Sequence, residues 1–201
     1  MANFCYDAGM QRAAGFVIAG GRSSRLGQDK ARLKIHSQFL IEIVAREVEE
    51  AAGNVTLIGN PQSFADLPFA CLPDLQTGLG PLAGLEAALA SERAEFNLVV
   101  GCDMPDIKFP DLRRLLTVAE ENNALCTLAR DASERKHPLC AVYRNAALPF
   151  VRAALDAGRL RLWELVEELE AAEVRFNTVF TNLNTPEDWA AWQAAQASKR
   201  I

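Results

Sequence analysis

The stretch Gly15-Phe16-Val17-Ile18-Ala19-Gly20-Gly21-Arg22-Ser23-Ser24-Arg25-Leu26-Gly27-Gln28-Asp29-Lys30 governs how the rest of the chain is understood. The apolar run from Gly15 to Ala19 has the composition of a buried strand, and it breaks at once into a double glycine. A strand that ends in glycines and basic side chains is how an α/β protein turns backbone N–H groups toward phosphate. Glycine serves there because a side chain would keep the main chain away from an anion. Arg22, Arg25 and Lys30 add three positive charges within nine residues. The loop is therefore expected to hold a nucleoside triphosphate, although an exposed turn with flanking arginines shares this composition. Two familiar phosphate signatures are absent. Five residues separate Gly21 from Gly27 and Gln28 follows, which breaks the P-loop pattern, and the adjacent glycines break the dinucleotide fingerprint.

Composition narrows the function classes. At 201 residues, half apolar and 23% charged, the chain is long enough for one domain with a full core. A net charge of −5 excludes a general nucleic-acid binder, so the basic cluster is local. The five cysteines are an odd number, widely spread and without a C-x-x-C pair, as expected of reduced thiols in a cytoplasmic protein. No apolar stretch approaches the ~20 residues of a membrane helix, and the short N-terminal run lacks the features of a signal peptide. Residues 1–13 are expected to form an N-terminal extension, with a single domain over 14–201.

Along the chain, strand and helix signals alternate. Helical spacing of Leu40, Ile41, Val44 and Val48 predicts a helix over about 38–52, stopped by Gly53-Asn54. Short strands are expected at 55–58 and 69–72, a helix from Pro81 to about Ser91, and a strand at 96–101. A helix over 110–121, strands at 125–129 and 139–143, and helices over 146–157 and 161–170 follow. Short strands are expected at 174–176 and 179–180, and Thr185-Pro186-Glu187-Asp188 opens a last helix. This pattern predicts a single three-layer α/β domain with a mostly parallel sheet covered by helices on both faces. The three tryptophans (Trp163, Trp189, Trp192) sit at amphipathic positions and are expected in the core.

Ligands of open parallel sheets bind beyond the carboxyl ends of the strands, so Gly20-Gly21, Asn60, Asp74 and Asp103 should converge there. Asp103 follows the apolar run Leu98-Val99-Val100-Gly101 and precedes Pro105. A lone carboxylate beside a triphosphate suits Mg²⁺, which commonly takes one or two carboxylates plus phosphate oxygens; a helix-cap or turn aspartate is the alternative. His137, with Arg135 and Lys136, could meet an anionic acceptor or form a solvated hairpin tip. No nucleophile elbow, metalloprotease or EF-hand pattern occurs.

The run Ala19-Gly20-Gly21-x-Ser23-x-Arg25-Leu26-Gly27-x-Asp29-Lys30 resembles the signature loop of nucleotidyltransferases with a Rossmann-like, glycosyltransferase-A-like fold. With Gly80-Pro81-Leu82-Ala83-Gly84, Cys102-Asp103-Met104-Pro105, His137-Pro138 and Asn182-Leu183-Asn184-Thr185-Pro186 in the same order, the chain is most similar to the molybdenum cofactor guanylyltransferases over about residues 14–195. The resemblance implies transfer of GMP from GTP to the terminal phosphate of molybdenum-bearing molybdopterin, with release of pyrophosphate. It implies nucleotide contacts from Ala19, Gly20, Gly21, Lys30, Asn60, Asp74 and Asp103, Mg²⁺ on Asp103, and charge neutralisation by Arg25 and Lys30. Acceptor contacts would come from His137, Asn182 and Asn184, and an accessory GTPase and receiving molybdoenzymes would be partners. Leu26 stands where methionine is commoner, a volume-conserving change. A sister enzyme using CTP on the same pterin, or on a sugar or alcohol phosphate, would present much the same motifs. A non-catalytic cofactor escort would have no need of Asp103 and Lys30.

Overall fold

The computed structural model describes residues 11–19, 30–35, 37–76 and 78–198. In chain order its elements are β1 (Gln11–Ile18), β2 (Lys34–Ile35), β3 (Gln38–Phe39), α1 (Leu40–Ala52), β4 (Thr56–Ile58), β5 (Ala70–Leu72) and α2 (Pro81–Ala90). They continue with β6 (Ala94–Gly101), α3 (Phe109–Glu121), β7 (Cys126–Arg130), β8 (Lys136–Arg144), α4 (Leu148–Asp156), α5 (Leu162–Glu168), β9 (Ala172–Arg175) and α6 (Pro186–Ser198).

Seven strands form one sheet in the order β5-β4-β1-β6-β8-β7-β9. The block β5-β4-β1-β6 is wholly parallel, β8 runs antiparallel to both β6 and β7, and β9 is parallel to β7. The alternation of side chains along β1 shows why its sequence is apolar from Ala13 to Ile18. Val17 faces a core layer shared with α1 and α3, while Phe16 and Ile18 face a second layer shared with α2, α4 and α5. Leu98 and Val100 of β6 join the first layer and Val99 the second, all fully buried. Each such side chain contributes on the order of 1.5–3 kcal/mol through burial. The domain is therefore a three-layer α/β sandwich, as its sequence predicts.

Most element boundaries agree with the periodicity to within two residues. Gly53 ends α1 in the left-handed region (φ 79°), its N–H donating to Glu49 O at 2.8 Å. Four features differ. β1 begins at Gln11, because residues 11–14 pair with Ala94–Asn97, so the sheet reaches into the segment expected to be an extension. Val179-Phe180 forms no strand; Phe180 is buried in a loop. His137 lies within β8 at 3% exposure, because the hairpin turn is confined to residues 131–135. Trp163 is 45% exposed on α5, where Leu162, Leu165 and Val166 fill the core instead. Trp189 and Trp192 do pack against the first core layer, stacked on each other at 5.6 Å.

Candidate active site

The parallel block brings four chain segments to one edge of the sheet. Beyond the strands, three further bonds continue the ladder: Ala19 N–H to Ile58 O (2.9 Å), Gly59 N–H to Leu72 O (3.0 Å) and Cys102 N–H to Ile18 O (3.1 Å). Asp74, Asn60, Ala19 and Asp103 therefore follow neighbouring strands at their carboxyl ends, in that spatial order. Such an edge is where an open sheet binds ligands. Gly20, Gly21 and Arg25 lie outside the described residues.

Asp103 leaves the edge two residues after β6. A Cβ on Gly101 would lie 2.8 Å from Asp103 Oδ1 and 3.4 Å from Leu139 Cβ, so the glycine makes room for the carboxylate to fold back over the strand end. Burial raises the Asp103 pKa from its ordinary value, opposed by the charge of Lys30, by its backbone and Asn182 hydrogen bonds, and by the charge of Arg135. The result is a desolvated carboxyl whose charged form gains from a nearby cation.

The loop between β9 and α6 crosses this spot. Leu183 N–H donates to Asp103 O at 2.9 Å, and the Leu183 side chain is fully buried. Asn182 thereby meets the Asp103 carboxylate, while its Oδ1 is buried with no hydrogen-bond partner among the described residues. Asn184 Oδ1 accepts from Lys30 Nζ at 2.7 Å. Downstream, Thr185 and Asp188 form a reciprocal cap: Asp188 N–H donates to Thr185 Oγ1 (3.1 Å) and Asp188 Oδ2 accepts from Thr185 N–H (2.8 Å). Asp188 Oδ2 also accepts from Asn184 N–H at 2.9 Å, and these backbone bonds hold its pKa below the ordinary value.

The remaining expected residues are more varied. Asn60 is exposed, and its Oδ1 caps the short turn Pro61–Phe64 by accepting from Gln62 N–H at 3.1 Å. Asp74 is half-buried with its pKa raised by desolvation, and its Oδ1 lacks a partner among the described residues. His137 is buried, and its Nε2 is 3.0 Å from Asp131 Oδ2, so that nitrogen is engaged within the protein.

A cleft of about 360 Å³ adjoins Asp103 on the far side from Ala19. Met104 and Asn182 connect it to the carboxylate, Arg135, Lys136 and Arg161 supply positive charge, and the exposed Trp163 supplies a flat apolar wall. Arg161 and Trp163 were not expected from sequence; their only signal is a basic run interrupted by an aromatic where α5 begins. Among the described residues no group of three or more His, Cys, Asp and Glu side chains gathers. The oxygen donors near the edge are the Asp103 carboxylate and the orphaned Asn182 Oδ1, a hard-donor set that fits Mg²⁺ completed by phosphate oxygens and water.

Known proteins share this plan. A protein named probable molybdenum cofactor guanylyltransferase from Pelotomaculum thermopropionicum is 33% identical over 189 residues, covering 89% of this chain and 91% of that one. A molybdenum cofactor guanylyltransferase from Shewanella sp. (strain ANA-3) is 30% identical over 178 residues, covering 85% and 90%. The crystal structure of molybdopterin-guanine dinucleotide biosynthesis protein A from Archaeoglobus fulgidus superimposes with a TM-score of 0.76 at 21% identity, covering 94% of this chain and all of that one. The profile of the MobA-like NTP transferase domain matches residues 15–176. On these grounds the chain belongs to the MobA-like NTP transferase domain family, with the glycosyltransferase-A-like fold of nucleotidyltransferases.

Proposed function

We propose that the protein transfers GMP from GTP to the terminal phosphate of molybdopterin carrying molybdenum, forming the guanine dinucleotide cofactor and pyrophosphate. The observation that carries this reading is the desolvated Asp103 carboxyl between two differently built halves of one sheet edge. On one side lie the parallel strand ends, and on the other the cationic cleft with its exposed tryptophan. The names of the relatives support guanine and the molybdenum cofactor over CTP or a sugar phosphate.

In this reaction an acceptor phosphate oxygen attacks the α-phosphorus of GTP, and the bond from that phosphorus to the bridging oxygen of pyrophosphate breaks. Both partners are anions, so positioning and charge neutralisation supply most of the catalysis. Lys30 holds Asn184 and sits near Asp103 and Asp188, where its ammonium can turn to the triphosphate. Arg135, Lys136 and Arg161 balance the acceptor's phosphate, and Trp163 offers a face for its ring system. Asp103 and Asn182 would hold Mg²⁺, which supplies charge stabilisation at the reacting phosphoryl group. A phosphate monoester is largely ionised near neutral pH, with a second pKa of about 6, so the acceptor needs no strong general base. The product would pass to receiving molybdoenzymes.

Calorimetric titration of GTP, CTP and ATP with Mg²⁺, followed by pyrophosphate release with molybdopterin, tests the reading. GTP should bind best, and Asp103→Asn should lower turnover by at least about a hundredfold. Preferential CTP binding, or near-normal turnover of Asp103→Asn, would overturn it.

A further inference from the structure

The buried pair Asp131–His137 lies outside the row Asp74, Asn60, Ala19 and Asp103; His137 lines the cleft and Asp131 sits behind it. Asp131 is 2% exposed and serves two segments with its two oxygens. Oδ1 accepts from Ser133 N–H (2.9 Å), Ser133 Oγ (2.6 Å) and Arg135 N–H (3.1 Å), which closes the hairpin turn between β7 and β8. Oδ2 accepts from Phe180 N–H (3.2 Å) and meets His137 Nε2 (3.0 Å). Phe180 opens the segment that leads to Asn182, Leu183 and Asn184. Its ring packs on the His137 ring at 5.6 Å, and Ala132 N–H adds a bond to Thr178 O at 3.0 Å.

The segment Phe180–Asn184 is thus a strap laid over the strand ends and fixed at both ends by a carboxylate. Asp131 holds its upstream end and Asp188 its downstream end, while the bond from Leu183 to Asp103 O fastens its middle. A buried anion satisfied by donors from separate segments is costly to disturb, because loss of its charge leaves several donors poorly matched. A strap held this way presents Asn182 and Asn184 in one geometry instead of many, which is the arrangement a transfer site requires of groups that touch its substrates.

We infer that Asp131, oriented by His137, is a positioning residue that tethers the Phe180–Asn184 strap and so sets Asn182 against Asp103 and the acceptor cleft. His137 acts through Asp131 instead of touching the acceptor with its engaged nitrogen. The inference deepens the proposed function and rests on it for its kinetic consequence, though not for its structural one.

Hydrogen exchange on the substrate-free protein tests the structural part. In Asp131→Asn the amides of Phe180 and Leu183 should exchange at least about tenfold faster, while those of Leu98 and Val99 in β6 keep their protection. Unchanged exchange at Phe180 and Leu183 would overturn the inference whether or not the protein transfers GMP. In the kinetic part, KM for molybdopterin should rise about tenfold, and the substitution should be non-additive with Asn182→Ala. Additive effects of the two substitutions would overturn it. Should Asp131→Asn fail to fold, His137→Gln, which keeps a donor, should preserve strap protection where His137→Leu loses it; equal exchange in the two refutes the tether. A wild-type protein that transfers nothing to molybdopterin would count against the proposed function alone, since the exchange measurement still judges the strap.

Discussion

Substituting Gly101 by alanine isolates the placement of Asp103 from its chemistry. The added Cβ would sit 2.8 Å from Asp103 Oδ1, whereas ordinary van der Waals contact begins near 3.4 Å, so the oxygen must retreat by about 0.6 Å. The other neighbours, Leu139 Cβ at 3.4 Å and Leu139 Cδ1 at 3.5 Å, are at or beyond that limit and need not move. The obstacle is the end of a rotatable side chain, and Gly101 has no left-handed φ to forbid alanine. The strand should therefore keep its fold while the carboxylate turns aside. On the scale in which about 1 Å of misplacement costs about a hundredfold in rate, a 0.6 Å retreat predicts a loss of about tenfold. Pyrophosphate release measured over a range of Mg²⁺ concentrations should show lower turnover and a raised Mg²⁺ requirement. Thermal unfolding should stay within a few degrees of the parent protein. Parental turnover in a folded Gly101→Ala protein would refute the placement of Asp103 at the reacting centre.

Trp163→Ala should leave stability within about 1 kcal/mol, because the ring is largely exposed, while removing a stacking surface of ~0.5–1.5 kcal/mol and raising KM for molybdopterin about threefold to tenfold. An unchanged acceptor KM would assign Trp163 to the surface alone. The His137–Asp131 pair also predicts the pH dependence of stability. Burial, opposed by the Asp131 hydrogen bond, lowers the His137 pKa below its ordinary 6.5, so the unfolded chain takes up the proton first. That contribution is present above pH 6.5 and is lost as the pH falls toward the folded value, with a slope of at most about 1.4 kcal/mol per pH unit. Burial pushes Asp131 up, but its bonds from Ser133, His137, Phe180 and Arg135 outweigh this and hold it well below 3.8, so its share persists to lower pH and is lost below that value. Urea unfolding of His137→Gln should depend less on pH between about 7.5 and 5 than the parent protein, and an identical slope in both would show that His137 is not the titrating group.

How much of this was legible beforehand depended on the range of the interactions involved. The helix α1, stopped by Gly53, and the strand β6, apolar from Leu98 to Gly101, follow from periodicity and from local backbone chemistry. The places of Asp74, Asn60 and Asp103 follow from alternation and the rule for parallel sheets, since each residue merely ends its own strand, whereas Gly20-Gly21, expected beside them, lies outside the described residues. Lys30 is already one of the three cations of the opening loop, and the resemblance adds the Asn182–Asn184 motif. What neither supplied was the contact between distant segments. His137 looks like a hairpin residue in the sequence, and only the pairing of Ala129 with His137, after a register shift in β7, draws it into the sheet beside Asp131. Asn182 Oδ1 as an unpartnered acceptor, and Trp163 as a cleft wall in place of core, likewise depend on how loops pack over the sheet, for which side-chain spacing carries no signal.

The antiparallel insertion of β8 between β6 and β7 has an evolutionary consequence. On the β5-β4-β1-β6 side the described edge residues Asn60, Asp74 and Asp103 lie on connections that lead from one strand to another parallel to it. On the β8-β7 side the edge is a five-residue hairpin turn at 131–135 that owes nothing to a crossover. With Asp131 and Ser133 kept, the exposed side chains of Ala132, Glu134 and Arg135 can change with little effect on the fold. Under the proposed function, with the nucleotide at the parallel strand ends and the acceptor in the cleft, a new acceptor would be met by changing exposed turn residues and the first turn of α5 while the other half is inherited whole.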